Sequence, residues 1–125
     1  MIINLTALIA FQQAFSLSME IYEISKKFPK EERYSLTDQI RRSSRAVCSN
    51  LGEAYRKRIY EAHFISKVSD ADMENTETQV WLEFAYSCTY LREEEFKKLT
   101  AQSKEIGKLL DYYMHNPDKF KRNAD

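Results

Sequence analysis

Between Pro29 and Pro117 the chain contains no proline, and its only glycines are Gly52 and Gly107. Sheets need turns, and tight turns draw heavily on Gly, Pro and short polar residues. Their scarcity leaves long helices as the structure such a chain can build, so an all-α fold is expected. A length of 125 residues suits one domain, spanning 1–125, with a core of its own.

Apolar periodicity divides that domain into four helices, at about 4–27, 35–57, 60–89 and 92–114, followed by a loose tail over 117–125. In the first, Ala10, Ala14, Leu17, Ile21, Ile24 and Phe28 form a core stripe at helical spacing. Nearly opposite lies a second stripe of Leu8, Phe11, Phe15, Met19 and Tyr22. A helix in a lone bundle needs one buried face, so the second stripe predicts a subunit contact. A wide core stripe packed within one chain is the alternative. Pro29 stops this helix.

Ser35 is the expected N-cap of the second helix, with Asp38 near its positive end. Leu36, Ile40, Ser43, Ser44, Val47, Leu51, Ala54 and Tyr55 share its core face, while Arg41, Arg45, Ser49, Gly52 and Arg56 share another flank. Gly52 costs the helix roughly 1 kcal/mol against Ala, a cost that a close neighbour or an approaching ligand would justify. The third helix places Phe64, Ile65, Val68, Ala71, Leu82 and Tyr86 inward. Asp72, Asn75 and Gln79 interrupt that side, and an antiparallel hairpin centred near 58 sets them level with Ser44 and Ile40, predicting a buried polar layer. Met73, Val80, Trp81, Phe84 and Cys88 make a further apolar flank. In the fourth helix, Phe96, Leu99, Ser103, Ile106, Leu110 and Tyr113 follow a bundle seam.

The chemistry of a catalyst is missing from this pattern. Neither His63 nor His115 has the Glu three residues before it that a di-iron bundle uses. Three serines near Cys48 lack a His/Asp partner set, and two glycines cannot form a phosphate loop. The chain is therefore expected to be no enzyme, with no metal and no cofactor. Cys48 and Cys88 show no ligand spacing and suit free, mostly buried thiols of a reducing cytoplasm. The N-terminal MIINLTALIAF lacks the charge and cleavage site of a signal peptide, and nothing approaches the ~18 apolar residues of a membrane span.

Charge supplies the remaining hint. The 19 basic and 19 acidic residues cancel, so any nucleic-acid role rests on local clustering. Arg41, Arg42, Arg45, Arg56, Lys57 and Arg58 form such a cluster, suited to the phosphates of RNA or DNA. Asp70, Asp72, Glu74 and Glu77 lie opposite Arg41, Arg42 and Arg45 in the assumed hairpin, so ion pairing across helices explains the same residues. Both readings stand: a nucleic-acid-binding adaptor, or a protein-binding scaffold whose arginines serve internal and inter-subunit ion pairs.

Several motifs carry a likeness. The run FPKEERYSLTDQIRRSS, followed by SNLGEAYRKR, resembles the bacterial four-helix-bundle family of 23S ribosomal RNA intervening-sequence proteins, whose typical pattern is FPKEERYGLTSQLRRAA and then IPSNIAEG. The resemblance continues through ETQ at Glu77–Gln79, YLREEEF at Tyr90–Phe96 and EIGKLL at Glu105–Leu110, and covers about residues 10–114. It departs from the pattern at Cys48, in place of the usual proline; at Gly52 and Ala54, which reverse a small-residue pair; and at Arg92, where a capping Ser is usual. The resemblance implies an antiparallel up-down-up-down bundle assembling into a homopentameric ring. It extends to the accessory variability proteins of diversity-generating retroelements, similar pentamers that bind nucleic acid and a reverse transcriptase. By that likeness Arg41, Arg42, Arg45 and Arg56 are the phosphate contacts, although overall neutrality departs from the strongly basic retroelement members. The family is named for a genetic location, and no defined reaction comes with it.

Overall fold

The computed structural model describes residues 4–121. Four α-helices account for most of them: α1 (Ile9–Ser25), α2 (Leu36–Arg56), α3 (Glu61–Ser87) and α4 (Glu93–His115). Short 3-10 turns occupy Leu5–Ala7, Lys30–Glu32 and Pro117–Phe120, and no strand occurs among the described residues. α2 packs on α1 and α3, and α4 packs on the same two, so α1 and α3 sit on a diagonal. The inward stripes expected from periodicity meet in one core: Ile21, Ile40, Leu51, Val68, Leu82, Ile106 and Leu110 are almost wholly removed from water. Each such side chain stabilises the fold by roughly 1.5–3 kcal/mol.

The helix ends depart from expectation in instructive ways. α1 begins at Ile9 rather than at residue 4, because Leu8 is extended (φ −70°, ψ 124°) and separates it from the first 3-10 turn. The break lets the Ala10 N–H, unpaired within its own helix, donate to the Tyr113 hydroxyl of α4 at 3.1 Å. It also turns Leu8 into the core at 8% exposure. Ser35 does not cap α2. Its hydroxyl donates to Glu32 Oε1 at 2.6 Å, and the same oxygen accepts the Leu36 N–H at 3.4 Å. Glu32 thus supplies the cap from outside the helix. At α4 the Ser absent from position 92 is offset by Glu95, whose carboxylate accepts the Arg92 N–H at 2.9 Å and reaches Lys27 of the α1–α2 connection at 3.0 Å. Those bonds, the backbone one first, hold the Glu95 carboxyl down at about 2.

The tail is not loose over its first residues. Pro117–Phe120 forms a 3-10 turn that sets the Phe120 ring 5.6 Å from Phe64 and 4.3 Å from Tyr113. At the other sharp turn, α3 ends with Thr89 in the left-handed region (φ 64°), the one non-glycine residue there among those described. The Tyr90 N–H then reaches back to the Ala85 carbonyl at 2.9 Å, closing the turn a glycine usually makes.

The polar layer exists and holds Asn75 and Gln79 as expected, but its partners lie on α4 and Asp72 is not part of it. Asn75 is 1% exposed and faces α4, not Ser44. Its amide donates to the Ser103 carbonyl at 2.9 Å and accepts the Ser103 hydroxyl at 2.8 Å, while the Gln79 amide donates to Ser103 Oγ at 3.0 Å. Ser44 is satisfied inside α2 by the Ile40 carbonyl, and the α2–α3 seam instead joins Ser43 to Thr78 at 2.8 Å. A Cβ on Gly107 would stand 3.4 Å from the Asn75 amide nitrogen, so the glycine leaves room for this close approach.

Asn75→Ala should lower stability by about 1–3 kcal/mol, since Ser103 loses its buried partner; urea titration measures it. Thr89→Gly should raise stability by about 1 kcal/mol, a thermal midpoint shift of about 4 °C. Because the Glu95 carboxyl titrates below its ordinary 4.5, its stabilisation is complete above that pH and lost as pH falls toward 2. Glu95→Gln should therefore flatten the acid limb of the thermal midpoint plotted against pH.

Candidate nucleic-acid interface

The basic cluster of α2 divides once it is folded. Arg41, Arg45 and Arg56 project from one flank, on the side toward α1, and span about 22 Å along the axis at 1.5 Å per residue. Arg41 is half-buried: its Nε donates to Ser25 Oγ at 2.8 Å, its Nη2 to the Tyr22 carbonyl at 3.4 Å, and its guanidinium lies 4.8 Å from the centre of the Tyr22 ring. It therefore closes the last turn of α1, where a cation also meets the negative end of the helix dipole. Arg45 is exposed and lies 5.5 Å from the same ring, with Lys26 at 4.8 Å. Three cations thus surround one aromatic face.

The other members go elsewhere. Arg42 is exposed and pairs with Asp38 one turn back at 3.5 Å. Lys57 follows the end of α2 and is exposed. Arg58 folds back, donating to the Tyr55 carbonyl at 2.7 Å with its guanidinium 3.9 Å from the Tyr55 ring. Arg45, Arg56 and Lys57 take part in no ion pair among the described residues.

The expected pairing of Arg41, Arg42 and Arg45 with the α3 acids does not form. α2 meets α3 on its Ser43 side, where that hydroxyl bonds Thr78, which turns Arg41 and Arg45 away toward α1. Asp72 faces Asp111 of α4 instead, and burial together with that charge raises its carboxyl. Glu74 is raised by burial and by Glu77 and Asp70 beside it. No group of three or more candidate metal ligands occurs among the described residues.

Of the stripe expected at a subunit contact, Leu8 belongs to this chain's own core. Phe11 is half-buried and stacks on Phe15 at 6.1 Å, Phe15 and Met19 are exposed, and Tyr22 is held beneath its three cations. Beside Phe15 and Met19 a groove of about 940 Å³ runs between α1 and α4, floored by Ile24 and Leu99. Its two walls lie far apart in sequence, so no local signal marks it. Cys88 is exposed, contrary to the expectation of buried thiols, whereas burial pushes the Cys48 thiol up to about 11. Gly52 has only an ordinary neighbour: a Cβ there would meet Leu5 Cδ2 at 3.7 Å.

A family model described as 23S rRNA-intervening sequence protein matches residues 6–112. The chain belongs to this family. A solved protein of unknown function from the S23 ribosomal protein family of Bacteroides thetaiotaomicron VPI-5482 is similar, at 27% identity and a TM-score of 0.78 over 86% of this chain and 96% of that one. No curated protein matches. The stretches that carry the family likeness turn out to bind one another. Glu32 of FPKEERY accepts the Tyr90 hydroxyl of YLREEEF at 2.9 Å, which pushes the Tyr90 phenol up to about 12, and Phe28 packs on the Tyr90 ring at 5.6 Å. Gln79 of ETQ and Gly107 of EIGKLL both serve the Asn75–Ser103 contact. Much of the family pattern is thus accounted for by folding. Among the described residues no helix is long and apolar enough to cross a membrane.

Arg41→Ala should destabilise the protein by about 1–2 kcal/mol through the lost α1 contacts. Gly52→Ala should stabilise it by about 0.5–1 kcal/mol, since nothing in the chain needs the missing Cβ. Paired thermal melts check both signs.

Proposed function

We propose that this family member is a non-enzymatic, self-assembling antiparallel four-helix bundle that binds structured RNA or DNA through the α2 flank. The observation that carries the reading is that Arg45 and Arg56 share an exposed face with Arg41 while pairing with no carboxylate among the described residues. Unneutralised guanidiniums on a rigid helix suit phosphates, which exchange condensed counterions for them. Small, exposed Ser49 between the arginines leaves space for a sugar–phosphate backbone to approach. The antiparallel arrangement is supported by the contacts of α1 with α4: Ala10 meets Tyr113, Glu20 meets Gln102, and Lys27 meets Glu95. Exposed Phe15 and Met19 support assembly, with a homopentameric ring as the form the family resemblance suggests. A ring repeats the flank around its axis and raises avidity without a new contact.

Arg41 favours a second role for one member of the cluster, because its bonds to Ser25 and Tyr22 already tie α2 to α1. The phosphate-binding role therefore falls chiefly on Arg45 and Arg56. Filter binding of structured RNA across a salt series tests the proposal. Arg56→Ala should weaken binding and reduce the slope of log K against log salt by about 1. No binding to RNA or duplex DNA at about 50 mM salt would end the reading. Light scattering at micromolar concentration tests the assembly.

A further inference from the structure

Two apolar stripes remain uncovered in the single chain, and they lie on opposite sides of it. On α1, Phe15 and Met19 are 53% and 46% exposed; on α3, Met73, Val80 and Phe84 are 60%, 44% and 54% exposed. α1 and α3 share no side of the bundle, since each packs between α2 and α4. The stripes match in length: Phe11 to Tyr22 and Met73 to Phe84 each span about 16 Å. One border of each carries charge opposite to the other's. Beside the α1 stripe stand Lys26 and Arg41, gathered on Tyr22, with Lys26 also 3.2 Å from Glu23 of its own helix. Along the α2-facing border of the α3 stripe stand Asp70, Glu74 and Glu77, of which, among the described residues, only Asp70 has a cation within 4 Å, Lys67 at 3.7 Å.

From this we infer that the α3 face of one copy receives the α1 face of the next, head to tail. The inference rests on the self-assembly proposed above and names the surface that the α1 stripe meets. A two-fold contact through α1 alone would leave Met73, Val80 and Phe84 in water, and one through α3 alone would leave Phe15 and Met19 there. A head-to-tail contact covers both stripes with one interface, repeated at every step. It also brings the basic border of one copy to the acidic border of its neighbour. Glu74 and Glu77, which pair with no cation among the described residues, thereby meet one from another copy. Complementary borders select one direction of docking.

The test uses two full-length variants, each with a charge placed in one exposed stripe: Met19→Glu and Val80→Glu. Both sites face solvent in the single chain, so circular dichroism and the thermal midpoint of each folded chain should show intact helices. By sedimentation at micromolar concentration, the unaltered protein should assemble, and each variant alone should fall to the mass of one 14.8 kDa chain. An equimolar mixture should recover a one-to-one dimer, because the intact α3 face of Met19→Glu fits the intact α1 face of Val80→Glu. Val80→Glu retaining the assembled mass, or a mixture that stays monomeric while the unaltered protein assembles, would overturn the pairing and leave self-assembly standing. An unaltered protein that is itself monomeric would overturn both. Because the two variants leave Arg45 and Arg56 in place, loss of RNA binding by monomers is read separately.

Discussion

Every helix leaves unpaired N–H groups at its start and unpaired carbonyls at its end, and a chain with few Gly, Ser or Asn caps must satisfy them otherwise. Here the partners are borrowed from across the fold. Tyr113 of α4 receives an N–H at the start of α1, Arg41 of α2 donates to a carbonyl at its end, and Glu32 of the first connection holds the start of α2. Each cap exists only when another element is in place. Local helix formation and tertiary packing are thereby coupled, which favours a fold that forms and melts as a unit.

That coupling explains what sequence reading could and could not reach. Core positions such as Leu17, Ile40, Val68 and Leu110 were legible because burial on a helix repeats every 3.6 residues and writes itself into the sequence. Four helices followed directly. The caps were not legible. Ser35 has the chemistry of a cap but spends its hydroxyl on Glu32, and nothing near Ala10 points to a tyrosine 103 positions away. The 3-10 turn at Pro117 was hidden for a similar reason, since Phe120 is held by Phe64 and Tyr113 rather than by its own neighbours.

The candidate site shows the same division. Periodicity placed Arg41, Arg45 and Arg56 on one flank, and they share it in the fold. It could not say that the flank turns toward α1, which depends on which face of α2 meets α3. The expected ion pairs with Asp70, Asp72, Glu74 and Glu77 failed on that point alone. Of the expected polar layer, the buried residue Asn75 was found but its partner was not, because Ser103 lies on a helix whose register against α3 no local signal reveals. The family pattern adds less about function than its length suggests. Glu32, Tyr90, Gln79 and Gly107 are occupied with one another and with the core, so their presence reports how the chain folds.

The contact between Asn75 and Ser103 limits how the helices can move. A slide of α4 along α3 by one turn, about 5.4 Å, would leave the amide, the hydroxyl and a carbonyl stranded in hydrocarbon, whereas a purely aliphatic seam would tolerate several offsets. These two helices therefore behave as a keyed strut of fixed length. On the other side of the bundle Arg41 does for α2 and α1 what a bolt does, holding Ser25 and the Tyr22 carbonyl at one offset.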